Sequence, residues 1–161
     1  MKKIFILIIL FSLGFGPSLV ASPVADFLGI VDFTLSLKSL NQFMERGEYE
    51  YLDKNLYIIL DGTVSSRELL SAEKEPFLGE IEIVQGEWVG LEEVKIYKGI
   101  IEFSGEEYSG LIPARRARRR SENEIKLNSH IIVIGKLKGK RLLPNGDSVP
   151  VIQGFLIREM L

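Results

Sequence analysis

The run Ile131-Ile132-Val133-Ile134 constrains this chain more than any other feature, because four consecutive β-branched residues leave a strand with no polar face. Such a strand has to be covered on both sides. It lies within His130 to Leu137, and Val149 to Arg158 is its expected partner. Between the two, Leu142-Leu143-Pro144-Asn145-Gly146-Asp147-Ser148 carries an Asn-Gly dipeptide, whose residues accept the positive φ angles of a type I′ turn. The sequence therefore predicts a β-hairpin built into the core. Pro150 lacks an amide donor and is expected at the first residue or the free edge of its strand.

Three further β segments precede the hairpin. Leu56 to Val64 is rich in β-formers, with Gly62 marking a bulge or bend. Glu80-Ile81-Glu82-Ile83 alternates, isoleucines inward and glutamates outward, and continues toward Trp88 before Gly90 turns the chain. Val94 to Phe103 follows, where Gly99 shifts the alternation and implies bending. Upstream, Asp32 to Gly47 reads as a short amphipathic helix: Ser36 caps it, Leu37, Leu40, Phe43 and Met44 share one face, and Gly47 stops it. Glu48 to Asn55 is a polar and aromatic connector. Ser65 to Pro76 is polar with room for a helical turn, Gly105 to Pro113 is loop, and Pro113 to Arg120 can start a short helix.

The order of helix, three strands, short basic helix or loop and two-stranded hairpin resembles the OB-fold. The phrases Leu60-Asp61-Gly62-Thr63-Val64 and Val133-Ile134-Gly135-Lys136-Leu137 carry the resemblance, which covers roughly Leu56 to Arg158. It implies a mainly β chain, a small five-stranded OB-like barrel preceded by a short amphipathic helix, with a helix inserted after the third strand. Another small β-barrel or sandwich, or a mixed α+β sheet, is the alternative. A fold of this kind does not fix a function.

The first residues suggest an address. Met1-Lys2-Lys3 is a basic head, Ile4 to Leu13 is apolar apart from Ser12, and Gly14, Gly16 and Pro17 break the helix, the layout of a secretory signal peptide ending at Ala21. The expected organisation is residues 1–21 as signal peptide, 22–55 as N-terminal helix and connector, and 56–161 as the β-barrel domain. Export to the periplasm or secretion follows, with an uncleaved N-terminal anchor as the alternative. No transmembrane span is expected after cleavage. The chain has no cysteine and one histidine, which removes disulfides, thiolate nucleophiles, Cys-ligated metals and histidine-rich sites, and no cofactor is expected.

Charge is segregated. Residues 22–110 carry a net −11 and residues 111–161 a net +7, and the change falls at Arg115, Arg116, Arg118, Arg119 and Arg120. Five arginines in six positions repel one another, belong on the surface, and suit phosphate or carboxylate. The competing reading is a solvated loop balanced by the protein's own acidic half. Trp88, between Gly86 and Gly90, is either a rim aromatic closing the barrel or an exposed anchor. Nucleic acid is disfavoured as a partner, because Trp88, Tyr97 and Phe103 stand among Glu80, Glu82, Glu87, Glu92, Glu93 and Glu102, where phosphate would be repelled. His130 at the mouth of an apolar strand reads as a packed or surface residue rather than a catalytic one, and the paired glutamates read as a solubilising face.

These observations point to an exported, non-enzymatic binding or assembly module of the periplasm or cell envelope that contacts an anionic partner through its arginine loop. The alternatives are a structural envelope-complex subunit using strand edges and a carboxylate-based hydrolase.

Overall fold

A computed structural model of the chain describes residues 28–71, 77–112, 121 and 123–160. Their element order is β1 (Val31–Asp32), α1 (Leu37–Glu45), β2 (Tyr57–Ser71), β3 (Leu78–Val89), β4 (Glu93–Ser104), β5 (His130–Leu142) and β6 (Ser148–Glu159). Short 3-10 turns occupy Tyr49–Tyr51 and Glu106–Tyr108.

The five long strands form a closed ring. β2 pairs with β3, β3 with β4 and β5 with β6, all antiparallel, and β4 meets β6 in parallel. An antiparallel ladder from Tyr57↔Lys136 to Thr63↔His130 returns β5 to β2 and closes the barrel. The two-residue β1 adds to β2 outside the ring. This is the OB-like barrel with one short helix before it that the strand order suggests. Four register shifts bend the strands, one extra residue each at Ser65 and Leu70 in β2, Lys138 in β5 and Phe155 in β6.

Inside the ring lie Ile58, Leu60, Val64, Ile81, Ile83, Ile101, Phe103, Ile131, Val133 and Ile152, all almost free of solvent. The helix α1 plugs one end. Ser36 caps it, with Ser39 bonding back to the Ser36 amide, and Leu37 and Leu40 enter the core while Phe43 and Met44 pack on its margin. Asn41 stitches the helix to β4: its Nδ2 donates to the Lys98 carbonyl at 2.8 Å, and its Oδ1 accepts from the Lys98 amide at 3.3 Å. Tyr49 is buried beside the helix and its hydroxyl donates to the Gly139 carbonyl at 2.5 Å. Burial, with Glu50 nearby, pushes that phenol up to about 12.

Several expectations need correction. The helix is shorter than Asp32 to Gly47, because Asp32 belongs to β1 and its carboxylate accepts from the Thr34 amide, turning the chain before Ser36. Residues 65–71 are strand, with no helical turn: β3 pairs with Ser66, Arg67, Glu68, Leu69 and Ser71, and the two residues left over, Ser65 and Leu70, are bulges. The β5–β6 connection is no type I′ turn. Gly146 has φ +91° but Asn145 has no positive φ, and the loop is held by Leu143 N to Asp147 O and Gly146 N to Leu143 O. Gly99 stays in register opposite Ile83. Pro150 is the third residue of β6 and immediately precedes Val151, where the β4 ladder begins, so on that side its missing N–H interrupts nothing. Residues 1–27, with the expected signal peptide 1–21, and residues 113–120, with the expected short helix, lie outside the described residues.

Two substitutions test what holds the barrel shut. A Cβ at Gly154 would overlap the Phe103 ring, which is completely buried, so Gly154→Ala is expected to cost about 1–3 kcal/mol in urea unfolding. Asn41→Ala removes the only side-chain bonds between α1 and the β4 backbone among the described residues and leaves Lys98 unpaired there, an expected loss of about 1–2 kcal/mol and a lower Tm.

Candidate functional site

The outer surface of the barrel has two sides of opposite character, and the alternation of the strands decides which residues reach each. On β3 and β4 the aromatics Tyr97 and Phe103 point inward and are buried, and only Trp88 is presented, 70% exposed near the end of β3. Trp88 is therefore no closing rim residue. Around it Val89, Leu91, Val94 and Ile96 are also exposed. The acidic residues of this side are largely consumed internally. Arg141 reaches from β5 to hold Glu80 bidentately, both bonds 2.6 Å, and donates to Glu102 at 3.1 Å; Lys138 closes on Glu102 as well. Glu80 is buried by this clamp, which corrects the reading of Glu80 and Glu82 as a simple solvated face. Glu87 is held below the usual carboxylate range by hydrogen bonds from Lys38 at 2.6 Å and from the Tyr97 hydroxyl at 2.8 Å.

The other side is built by β2, β5 and β6. Cross-strand pairs set its rows: Tyr57 opposite Lys136, Ile59 opposite Ile134, Asp61 opposite Ile132, Thr63 opposite His130. β6 adds Leu156 beside Ile134 and Arg158 beside Ile132. The extra residue in β6 turns Phe155 outward as well as Leu156, so two successive residues are exposed. The Phe155 ring meets Tyr57 edge-on at 5.5 Å, and the Lys136 ammonium stands 4.3 Å above the Tyr57 ring. Lys136 and Arg158 have no carboxylate partner among the described residues. In these rows the one acid is Asp61, and His130 Nε2 lies 3.4 Å from its carboxylate.

Sequence reasoning missed this side because Tyr57 and Phe155 are 98 positions apart and the bulge that exposes Phe155 has no residue signature. The alternation of Lys136, Lys138 and Lys140 along β5 was the available clue.

Where β3 runs on past Val84 it loses β2 as a neighbour, and an open groove of about 470 Å³ forms there. It is lined by Thr63, Val84, Gln85, Gly86, Val94, Ile96 and His130, so it joins the two sides of the barrel. His130 lies between Thr63 and Asp61, 3.4 Å from each. Both contacts are longer than the about 2.6–3.2 Å of an activated nucleophile and its base, and the groups are half-exposed. Arg115, Arg116, Arg118, Arg119 and Arg120 lie outside the described residues.

No family model and no curated protein matches the chain. Among solved structures, a small single-stranded DNA-binding protein from Streptomyces coelicolor is similar at 10% identity, covering 68% of this chain and 96% of that one, with a TM-score of 0.43. A small single-stranded DNA-binding protein from Mycoplasma pneumoniae is similar at 15% identity, covering 62% and 91%, with a TM-score of 0.36. These findings correct the expectation of an exported periplasmic or secreted module, its envelope partners and its strand-edge and hydrolase alternatives: the solved structures to which the chain is similar are single-stranded DNA-binding proteins. They also correct the expectation that nucleic acid is a disfavoured partner. Repulsion by the glutamates applies to β3 and β4, whereas Lys136 and Arg158 and the paired aromatics lie on the opposite side of the ring.

Proposed function

We propose that this chain is a non-enzymatic OB-fold protein that binds single-stranded nucleic acid along the outer face of β2, β5 and β6. The observation that carries the reading is the Tyr57–Phe155 edge-on pair with Lys136 above Tyr57, on an exposed sheet face whose other cation, Arg158, is also free of carboxylates. Single-strand binding needs these two things together, π-faces on which bases stack without regard to sequence and unpaired cations that take phosphate. Ile59, Ile134 and Leu156 supply apolar surface between them for bases and sugars. From Tyr57 to Thr63 the face runs about 20 Å, and the groove at Thr63 and His130 extends it toward Trp88. That suits a short site, at the low end of the about 4–16 nucleotides an OB barrel accommodates. Trp88 is a further stacking platform at the far end of this path, and Arg115, Arg116, Arg118, Arg119 and Arg120 add a sequence-independent attraction for phosphate.

Fluorescence anisotropy with a labelled oligothymidine tests the reading. Wild-type protein is expected to bind at low salt with an affinity that falls as salt rises. Tyr57→Ala and Phe155→Ala should each weaken binding by about 1–3 kcal/mol, the range measured for one stacked base. Lys136→Gln should reduce the slope of log K against log salt by about 0.7, the value for one phosphate contact on a single strand. Serine at the five arginine positions should lower the slope further while leaving the Tyr57 and Phe155 effects in place. Absence of binding at low salt, or aromatic variants that bind like wild type, would overturn the proposal.

A further inference from the structure

We infer that the tip of the β3–β4 hairpin docks on the β2–β5–β6 face of a second copy of this chain. The tip is the most exposed apolar feature among the described residues: Leu91 is 96% exposed, and Trp88, Val89, Val94 and Ile96 surround it. A contiguous apolar surface of this kind marks an interaction site when it is rimmed by polar groups. Its rim here is acidic. Glu92 and Glu93 are exposed and form no salt bridge among the described residues. An anionic lipid surface would repel them, so the occupant has to be apolar with cations at its border.

The molecule itself carries such a surface. Ile132, Ile134 and Leu156 form its apolar centre, and Lys136 and Arg158, both without carboxylate partners, stand at its two ends. Two unpaired anions on an apolar tip thus match two unpaired cations on an apolar face. The tip is held as a rigid projection: β3 and β4 are paired without interruption from Leu78↔Ser104 to Val89↔Glu93, and Gly90, at φ +71°, makes the turn. Tip and face are different surfaces, so the contact is heterologous, and repeated from copy to copy it builds open head-to-tail chains. The inference does not depend on nucleic-acid binding, although it uses the same face.

Sedimentation equilibrium of the full chain, freed of nucleic acid, is the test. Wild-type protein should show an average mass that rises with concentration and falls with added salt. Leu91→Ser should lower the association constant at least about tenfold, with an unchanged circular dichroism spectrum. The double variant Glu92→Lys, Glu93→Lys and the double variant Lys136→Glu, Arg158→Glu should each be monomeric alone. Mixed together, they should restore association, because the reversed tip of one fits the reversed face of the other. A wild-type chain that stays monomeric across the concentration range, charge variants that associate as wild type does, or a mixture that remains monomeric would each overturn the inference. Because no oligonucleotide is present, its failure leaves the nucleic-acid reading to stand or fall on the anisotropy experiment.

Discussion

Three cross-strand pairs, Ile100 with Val151, Ile101 with Ile152 and Glu102 with Gln153, join β4 to β6 and turn a curled sheet into a closed barrel. The join is short and parallel, the least generous kind of strand pairing per residue. Packing across the seam has to make up for it. Ile101 and Ile152 are completely buried at its centre, and Gly154 lets the Phe103 ring lie against the β6 backbone just beyond it. Where β4 and β6 part, α1 takes over, and Asn41 offers Lys98 the acceptor and donor that a neighbouring strand would otherwise provide. The helix is thus part of the closure.

Closure also decides the electrostatics. Once β5 has coiled round the ring, its second half carries Lys138 and Arg141 to Glu102 on β4 and Glu80 on β3. Part of the acidic first half and of the basic second half of the chain cancels there, in pairs ordered by the barrel. Among the described cations of β5 and β6, Lys136 and Arg158 are the ones left without a carboxylate partner, and they lie on the far side, in rows whose one acid, Asp61, faces His130. A net charge of −2 for the whole chain conceals this arrangement, because a phosphate group responds to the field within about a Debye length and not to the sum.

Much of the fold was legible because local patterns dictate it. The apolar run at Ile131 could only be a covered strand, Ser36 with Leu37 and Leu40 could only start a helix, and the isoleucines of β3 alternate with its glutamates. What misled were features whose meaning is set by distant residues. Residues 65–71 look able to carry a helical turn, yet β3 lies beside them and pairs with all but the bulged Ser65 and Leu70. Glu80 looks solvated until Arg141, 61 positions later, arrives to bury it. Asn145-Gly146 suggests a two-residue turn, but with Leu143 packed on Ile100, Val149 and Val151 the chain adopts a five-residue loop in which only Gly146 needs a positive φ. The candidate site was less legible than the fold, since its aromatic pair joins the first residue of β2 to a bulge in β6.

On the readings proposed above, Lys136 and Arg158 serve two ligands, a phosphate backbone and the acidic tip of another copy, and this has a thermodynamic consequence. Two ligands that compete for one face weaken each other by mass action, so an oligonucleotide must shorten the head-to-tail chains and a high protein concentration must lower the apparent affinity for oligonucleotide. Each contact has an apolar part that charge screening leaves in place, stacking on Tyr57 and Phe155 for a base and burial of Leu91 and Trp88 for the tip, so added salt weakens both without removing either. Concentration therefore sets the balance on this face, and self-association is favoured only where nucleic acid is scarce.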